Sequence, residues 1–223
     1  MSKLILPIVS KSPWHRSLSA WLVLTMAGIP FRERIEKADE IVSRPLVRLS
    51  TPLIETPILY HGRHAVWGAL GIMEYLAELF PEKNLWPKAL WARTQARAVS
   101  HEVQSKLDRL HGASLTNAVS PDNSAEYEYL ILRDQARLEE IVRECRAQFG
   151  RGGKFLFGKF TIADAVLAPI LLFFETHAVA VETETRMYMN VVLTTDAMAS
   201  WREGVSAHSP RSIPGKSTLR AVV

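Results

Sequence analysis

The chain is poor in cysteine, because Cys145 is the only one among its 223 residues. A single cysteine excludes an intrachain disulfide, and this composition fits a reducing compartment. The residues around Cys145 carry a helical pattern, so we interpret it as a helix-packing residue and not as a nucleophile. A secreted fold that depends on disulfides is therefore excluded.

Long apolar runs are also lacking. The mostly apolar stretch at residues 163–174 is shorter than the roughly 20 residues that cross a bilayer, and it contains Pro169. This stretch predicts a buried core helix. Residues 1–14 lack the extended apolar region and small-residue cleavage site of a signal peptide. We therefore expect a cytoplasmic protein with no membrane partner.

Concentrated charge of one sign is missing too. The chain has 27 Lys and Arg against 23 Asp and Glu, a formal net charge of +4, and the basic residues are scattered along it. Scattered cations indicate a solvated surface and argue against a nucleic-acid partner. A basic pocket for an anionic ligand stays open as an alternative.

The first part of the chain alternates strand and helix signals. The apolar run at residues 4–9 predicts a buried strand, and Ser12 followed by Pro13 predicts the start of a helix that ends near Gly28. Further elements are strands at 31–35, 58–60 and 63–66, a turn at 61–62 and an amphipathic helix from 67 to 80. The order is β-α-β-(α)-β-β-α, with residues 38–50 as a connection that holds at most one short helix.

Only helical patterns follow residue 91. Apolar residues repeat at helical spacing, and Thr161 with Asp164 matches a capping box, in which the first residue caps a helix and the carboxylate reaches back to its backbone. A final helix is predicted near residues 195–202. The predicted organisation is an α/β domain at 1–81, a linker at 82–90, an all-helical domain at 91–205 and a tail at 206–223.

Several segments together resemble the glutathione transferase superfamily. They are residues 12–31, 52–57 (PLIETP), 67–87 and 155–164 (FLFGKFTIAD). The first is similar to the serine-type classes, namely zeta, tau and related bacterial groups. The resemblance covers about residues 3–205. It implies the glutathione transferase fold, which is an α/β thioredoxin-like N-terminal domain plus an all-α C-terminal domain.

The resemblance implies an enzyme that uses glutathione as a co-substrate. The glutathione thiolate would attack a small electrophile, either to conjugate it or to isomerise it as in maleylacetoacetate isomerase. A free thiol with a pKa of about 8.5 is mostly protonated at neutral pH, so a hydroxyl at the start of the first helix would favour the thiolate. Ser12 is the candidate for this role, with Ser17 as the alternative. A homodimer is implied as well.

The resemblance also implies a set of binding residues. Pro57 would be cis and would expose the backbone of Thr56 to the cysteinyl part of glutathione. Relatives often place Lys or Gln where Glu55 stands, and an acidic residue followed by Ser or Thr where Gly68 and Ala69 stand. Positions that line the second-substrate pocket in relatives correspond to His101, Gln104 and His111.

The departures at Glu55, Gly68 and Ala69 lead to competing hypotheses. Side-chain hydrogen bonds to a charged group are worth about 1.5–3 kcal/mol each, so losing two of them costs about two to four decades in affinity. One alternative is therefore a non-catalytic binding or scaffold protein, and another is a different anion held by the bare helix N-terminus. His61 and His64 flank a turn with no acidic residue nearby, so no metal site is predicted.

Overall fold

The computed structural model describes residues 3–8, 17–35, 57–107, 110 and 125–208, with the backbone alone at 125–128 and 205–208. The strands are β1 (Leu4–Ile8), β2 (Phe31–Ile35), β3 (Ile58–His61) and β4 (His64–Trp67). The helices are α1 (Leu18–Met26), α2 (Ala69–Leu79), α3 (Leu90–Ser105), α4 (Ala125–Phe149), α5 (Ile162–Thr176), α6 (Thr183–Leu193) and α7 (Asp196–His208), with a short 3-10 turn at Pro81–Lys83.

The strands form one four-stranded mixed sheet in the order β2-β1-β3-β4. β1 and β2 pair in parallel across α1, whereas β3 pairs antiparallel with both β1 and β4. A parallel pair needs a crossover connection, and α1 supplies it. α2 follows β4 directly and packs back on β3 and β4, so its N-terminus lies at the end of the sheet where β4 finishes.

One element boundary differs from the prediction within the described residues. α1 begins at Leu18 with Ser17 as its N-cap, and the predicted helix start at Ser12 and Pro13 lies outside the described residues. The hairpin turn lies at residues 62–63, one residue later than predicted, because Gly62 adopts the positive φ of 61° that such a turn requires.

The helical unit also differs from the prediction, in two elements. α6 (Thr183–Leu193) was not predicted, and α7 extends to His208, beyond the predicted helix at 195–202. α5 matches the expected buried helix and is enclosed along nearly its whole length, with Pro169 in its interior. Cys145 on α4 is buried, and burial raises the pKa of its thiol to about 12, which fits a packing role.

One hydrophobic core runs through the sheet unit and the helical unit. Leu6 of β1, Trp21 of α1, Val166 of α5 and Trp201 of α7 belong to the same buried cluster. α1 packs on α2 within the first unit and on α5 and α7 of the second. In the described residues no helix is both long and apolar enough to cross a bilayer.

Candidate functional site

The start of α2 is the part of the predicted binding site that the structure describes most fully. Gly68 is the N-cap of α2 and has φ 76° and ψ 134°, a conformation that residues with a Cβ rarely adopt. Its carbonyl oxygen accepts the first backbone hydrogen bond of the helix from the Ile72 N–H, with an N···O distance of 3.0 Å. Both Gly68 and Ala69 are half-buried.

A backbone hydrogen bond joins this helix start to the beginning of β3. The Gly68 N–H donates to the Pro57 carbonyl oxygen at 3.0 Å, so Pro57, Gly68 and Ala69 lie together at one end of the sheet. The first turn of α2 contains no acidic side chain and no side-chain cap. Because the first N–H groups of a helix lack intrahelical acceptors, this end attracts an anion such as a carboxylate.

Ser17, the alternative candidate for the hydroxyl that would favour the thiolate, stands at the N-terminus of α1. Its residue is only 1% exposed, and its carbonyl oxygen accepts the Trp21 N–H at 2.9 Å. Ser17 thus lies at the positive end of a helix, but beneath the protein surface. The other serine candidate, Ser12, lies outside the described residues, as do Glu55, Thr56 and His111.

His101 and Gln104 both lie on α3, where the second-substrate pocket was predicted. His101 is exposed and Gln104 is half-buried. The Ser105 hydroxyl donates to the His101 carbonyl oxygen at 2.7 Å and lies 3.4 Å from its Nε2 atom. Within the described residues, no hydrogen bond connects His101 or Gln104 with Pro57, Gly68 or Ala69.

Glu74, Trp86 and Arg97 form a polar cluster, which connects α2 to the linker and to α3. Sequence analysis did not identify this cluster. Glu74 of α2 accepts two hydrogen bonds from Arg97 of α3, at 3.0 and 3.1 Å, and one from the Trp86 indole at 3.0 Å. The Arg97 guanidinium also lies over the Trp86 ring, 5.6 Å from its centroid. The only sequence signal was a tryptophan in a proline-flanked linker. This brace links the helix whose N-terminus forms the candidate site to the linker and to α3.

Thr161 and Asp164 form a capping box at the start of α5. The fully buried Asp164 carboxylate accepts the Thr161 N–H at 2.8 Å, the Leu156 N–H at 3.0 Å and the Tyr188 hydroxyl at 2.9 Å. Burial raises the pKa of Asp164, and these hydrogen bonds oppose that shift. The carboxylate thereby ties together a loop, a helix start and α6, which is a structural task and not one of acid catalysis.

Known proteins with sequence similarity point to one family. Residues 128–204 match the family model described as the glutathione S-transferase C-terminal domain. Glutathione S-transferase 1 of Dianthus caryophyllus is 28% identical over 127 residues, which cover 54% of this chain and 55% of that protein. The chain therefore spans about half the length of the curated relative that it matches.

Solved structures with the same fold match nearly the whole chain. A maleylacetoacetate isomerase from Anaeromyxobacter dehalogenans, with bound GSH in its active site, has a TM-score of 0.65 at 21% identity and covers 90% of this chain and 96% of that chain. A glutathione transferase homolog from Burkholderia GL BGR1, with bound glutathione, has a TM-score of 0.61 at 18% identity and covers 92% and 98%. The chain thus has the glutathione transferase fold, and its residues 128–204 are similar to the glutathione S-transferase C-terminal domain.

Proposed function

We propose that this protein binds glutathione between Pro57 and the N-terminus of α2 and uses its thiolate to conjugate or isomerise a small electrophile. The observation that carries this proposal is the hydrogen bond from the Gly68 N–H to the Pro57 carbonyl, which brings the two parts of the expected binding site together. Structures of the same fold with bound glutathione support the choice of ligand.

The γ-glutamyl carboxylate of glutathione is the group that suits the start of α2. An anion there gains the free N–H groups of the first turn and the positive end of the helix dipole. Ala69 offers no hydroxyl, so the backbone supplies the contacts. We therefore expect glutathione to bind more weakly than it would with a hydroxyl at this position, because a side-chain hydrogen bond to a charged group contributes about 1.5–3 kcal/mol.

The chemical step begins when the thiol releases its proton to solvent and the sulfur becomes a thiolate. The sulfur lone pair then forms an S–C bond to an electron-poor carbon, and the displaced electron pair leaves with a leaving group or moves along a conjugated system. In a conjugation the S–C bond is kept. In an isomerisation the adduct rotates about the new single bond, the S–C bond breaks again, and glutathione is recovered.

A hydroxyl that donates to the glutathione sulfur would favour the thiolate over the thiol, and Ser12 is our candidate for it. A hydrogen bond to a charged group contributes about 1.5–3 kcal/mol, so its loss lowers the thiolate fraction about 10- to 100-fold. Ser12→Ala should therefore lower kcat with a chromogenic electrophile and leave the glutathione Kd nearly unchanged.

Ser17→Ala is the matched variant, because Ser17 is the alternative candidate, stands at the N-cap of α1 and is buried. Retained turnover in Ser17→Ala together with loss in Ser12→Ala would support the assignment. The reverse pattern would move the role to Ser17. If the wild type binds glutathione but shows no turnover, the transferase proposal is wrong and the protein is a non-catalytic binding protein.

A further inference from the structure

His61 and His64 lie directly opposite each other on neighbouring strands of the β3–β4 hairpin. They form the register pair next to the turn at residues 62–63. Directly paired residues of an antiparallel ladder project to the same face, with Cβ atoms about 4.5–5.5 Å apart. The two imidazoles therefore share one face at the tip of the hairpin, where His61 is half-buried and His64 is exposed.

The Tyr75 hydroxyl of α2 holds one of these two rings. The Nδ1 atom of His61 lies 2.6 Å from the Tyr75 oxygen, and the two rings are tilted with centroids 6.1 Å apart. With Nδ1 engaged, Nε2 is the nitrogen of His61 that remains for a ligand. Metal-ligating histidines use this arrangement, in which the second ring nitrogen donates to a fixed oxygen and orients the ring.

We propose that His61 and His64 chelate one divalent transition-metal ion, with water completing its coordination. Imidazole nitrogen suits Zn²⁺, Ni²⁺ and Cu²⁺, and paired histidines at this spacing can direct two nitrogens to a metal at about 2.0–2.1 Å. Within the described residues, no group of three or more His, Cys, Asp or Glu side chains could hold a metal ion. The site is thus a two-histidine chelate, which is independent of the proposed glutathione site.

The affinities should follow the usual order for nitrogen ligands, with Cu²⁺ bound more tightly than Ni²⁺ or Zn²⁺. Ca²⁺ and Mg²⁺ prefer oxygen ligands and should not bind here. The pairing of the histidines depends on the position of the turn, since a hairpin displaced by one residue would place the two rings on opposite faces.

The test is a calorimetric titration of the full, untagged chain with Ni²⁺ and with Zn²⁺, in a non-chelating buffer without glutathione. We expect one metal ion per chain. His61→Gln and His64→Gln should each weaken binding about a hundredfold, because each converts a chelate into a single contact. Tyr75→Phe should weaken it by about 10- to 100-fold, because His61 loses its orienting partner.

His101→Gln is the matched control, because His101 is an exposed histidine on α3. It should bind metal as the wild type does. His64 is exposed, so His64→Gln keeps the fold, and its result decides the question even if His61→Gln unfolds. Absence of stoichiometric binding in the wild type, or unchanged binding in His64→Gln, would overturn the proposal.

Discussion

Gly68 shows at the scale of one residue how the backbone shapes the candidate site. Its φ of 76° and ψ of 134° turn the chain from β4 into α2 and direct its own N–H to Pro57. This conformation lies outside the regions open to residues with a Cβ, and even outside the left-handed helical region. The backbone conformation of the helix start therefore explains why residue 68 is a glycine. The absence of a side chain at this position does not by itself indicate that ligand binding has been lost.

Gly68→Ala should destabilise the protein by about 1–3 kcal/mol, because alanine must adopt a strained backbone there. Gly71→Ala is the control on the same helix, since an added Cβ at Gly71 meets nothing within 4 Å. That control should stabilise the helix by about 0.5–1 kcal/mol. Urea unfolding monitored by circular dichroism measures both, and equal effects of the two variants would contradict the backbone argument.

At the scale of elements, Asp164 connects the loop before α5, the start of α5 and α6. Its carboxylate accepts hydrogen bonds from the Leu156 N–H in the loop before α5, from Thr161 at the start of α5 and from the Tyr188 hydroxyl on α6. Each donor is buried, so removing the common acceptor leaves all of them unsatisfied.

Asp164→Ala should lower the free energy of unfolding by at least about 3 kcal/mol, because each unsatisfied buried donor costs about 1–3 kcal/mol. Asp196→Ala is the matched control, since Asp196 is an exposed acid in the first turn of α7 and should contribute only about 0.3–1 kcal/mol. Similar losses in the two variants, measured by urea unfolding, would show that the buried network contributes little.

Local patterns made some elements predictable from the sequence. The capping box of α5 was predictable because Thr161 and Asp164 lie within one helical turn. The apolar face of α2 was predictable because Ile72 and Leu76 recur at helical spacing. α6 was missed although Thr185 and Tyr188 are buried at helical spacing. Its threonines and valines lower helix propensity, so packing against α4 and α5 has to stabilise it.

Contacts between distant segments account for what the sequence did not reveal. The hydrogen bond between Gly68 and Pro57 depends on the sheet register. The brace of Glu74 and Arg97 requires the two units to be packed together. No spacing rule predicts such contacts, because they follow from tertiary structure.

At the scale of the whole molecule, α1 joins the sheet unit to the helical unit. The Trp21 ring lies against the Trp201 ring of α7, with centroids 5.2 Å apart and the planes tilted by 58°. The Trp21 indole N–H donates to Glu33 of β2 at 2.6 Å, so the pair links the sheet to α7. A core shared in this way predicts that both units unfold together.

Trp201→Ala should lower the free energy of unfolding by about 3–5 kcal/mol, because it opens a large cavity in this shared core. Trp91→Ala is the control, since Trp91 is 63% exposed and its loss should change stability by no more than about 0.5 kcal/mol. In the wild type, tryptophan fluorescence and far-ultraviolet circular dichroism should report one coincident transition. Two separate transitions would contradict a single cooperative core.

The central claim is that glutathione binds at the N-terminus of α2, and calorimetry with glutathione tests it most directly. Wild type should bind weakly, and Ala69→Ser should bind about 10- to 100-fold more tightly, because it adds a hydroxyl to the carboxylate site. Glu78→Ser, which places a hydroxyl at the exposed C-terminal end of the same helix, should match the wild type. Absence of binding at millimolar glutathione in both the wild type and Ala69→Ser would contradict the account.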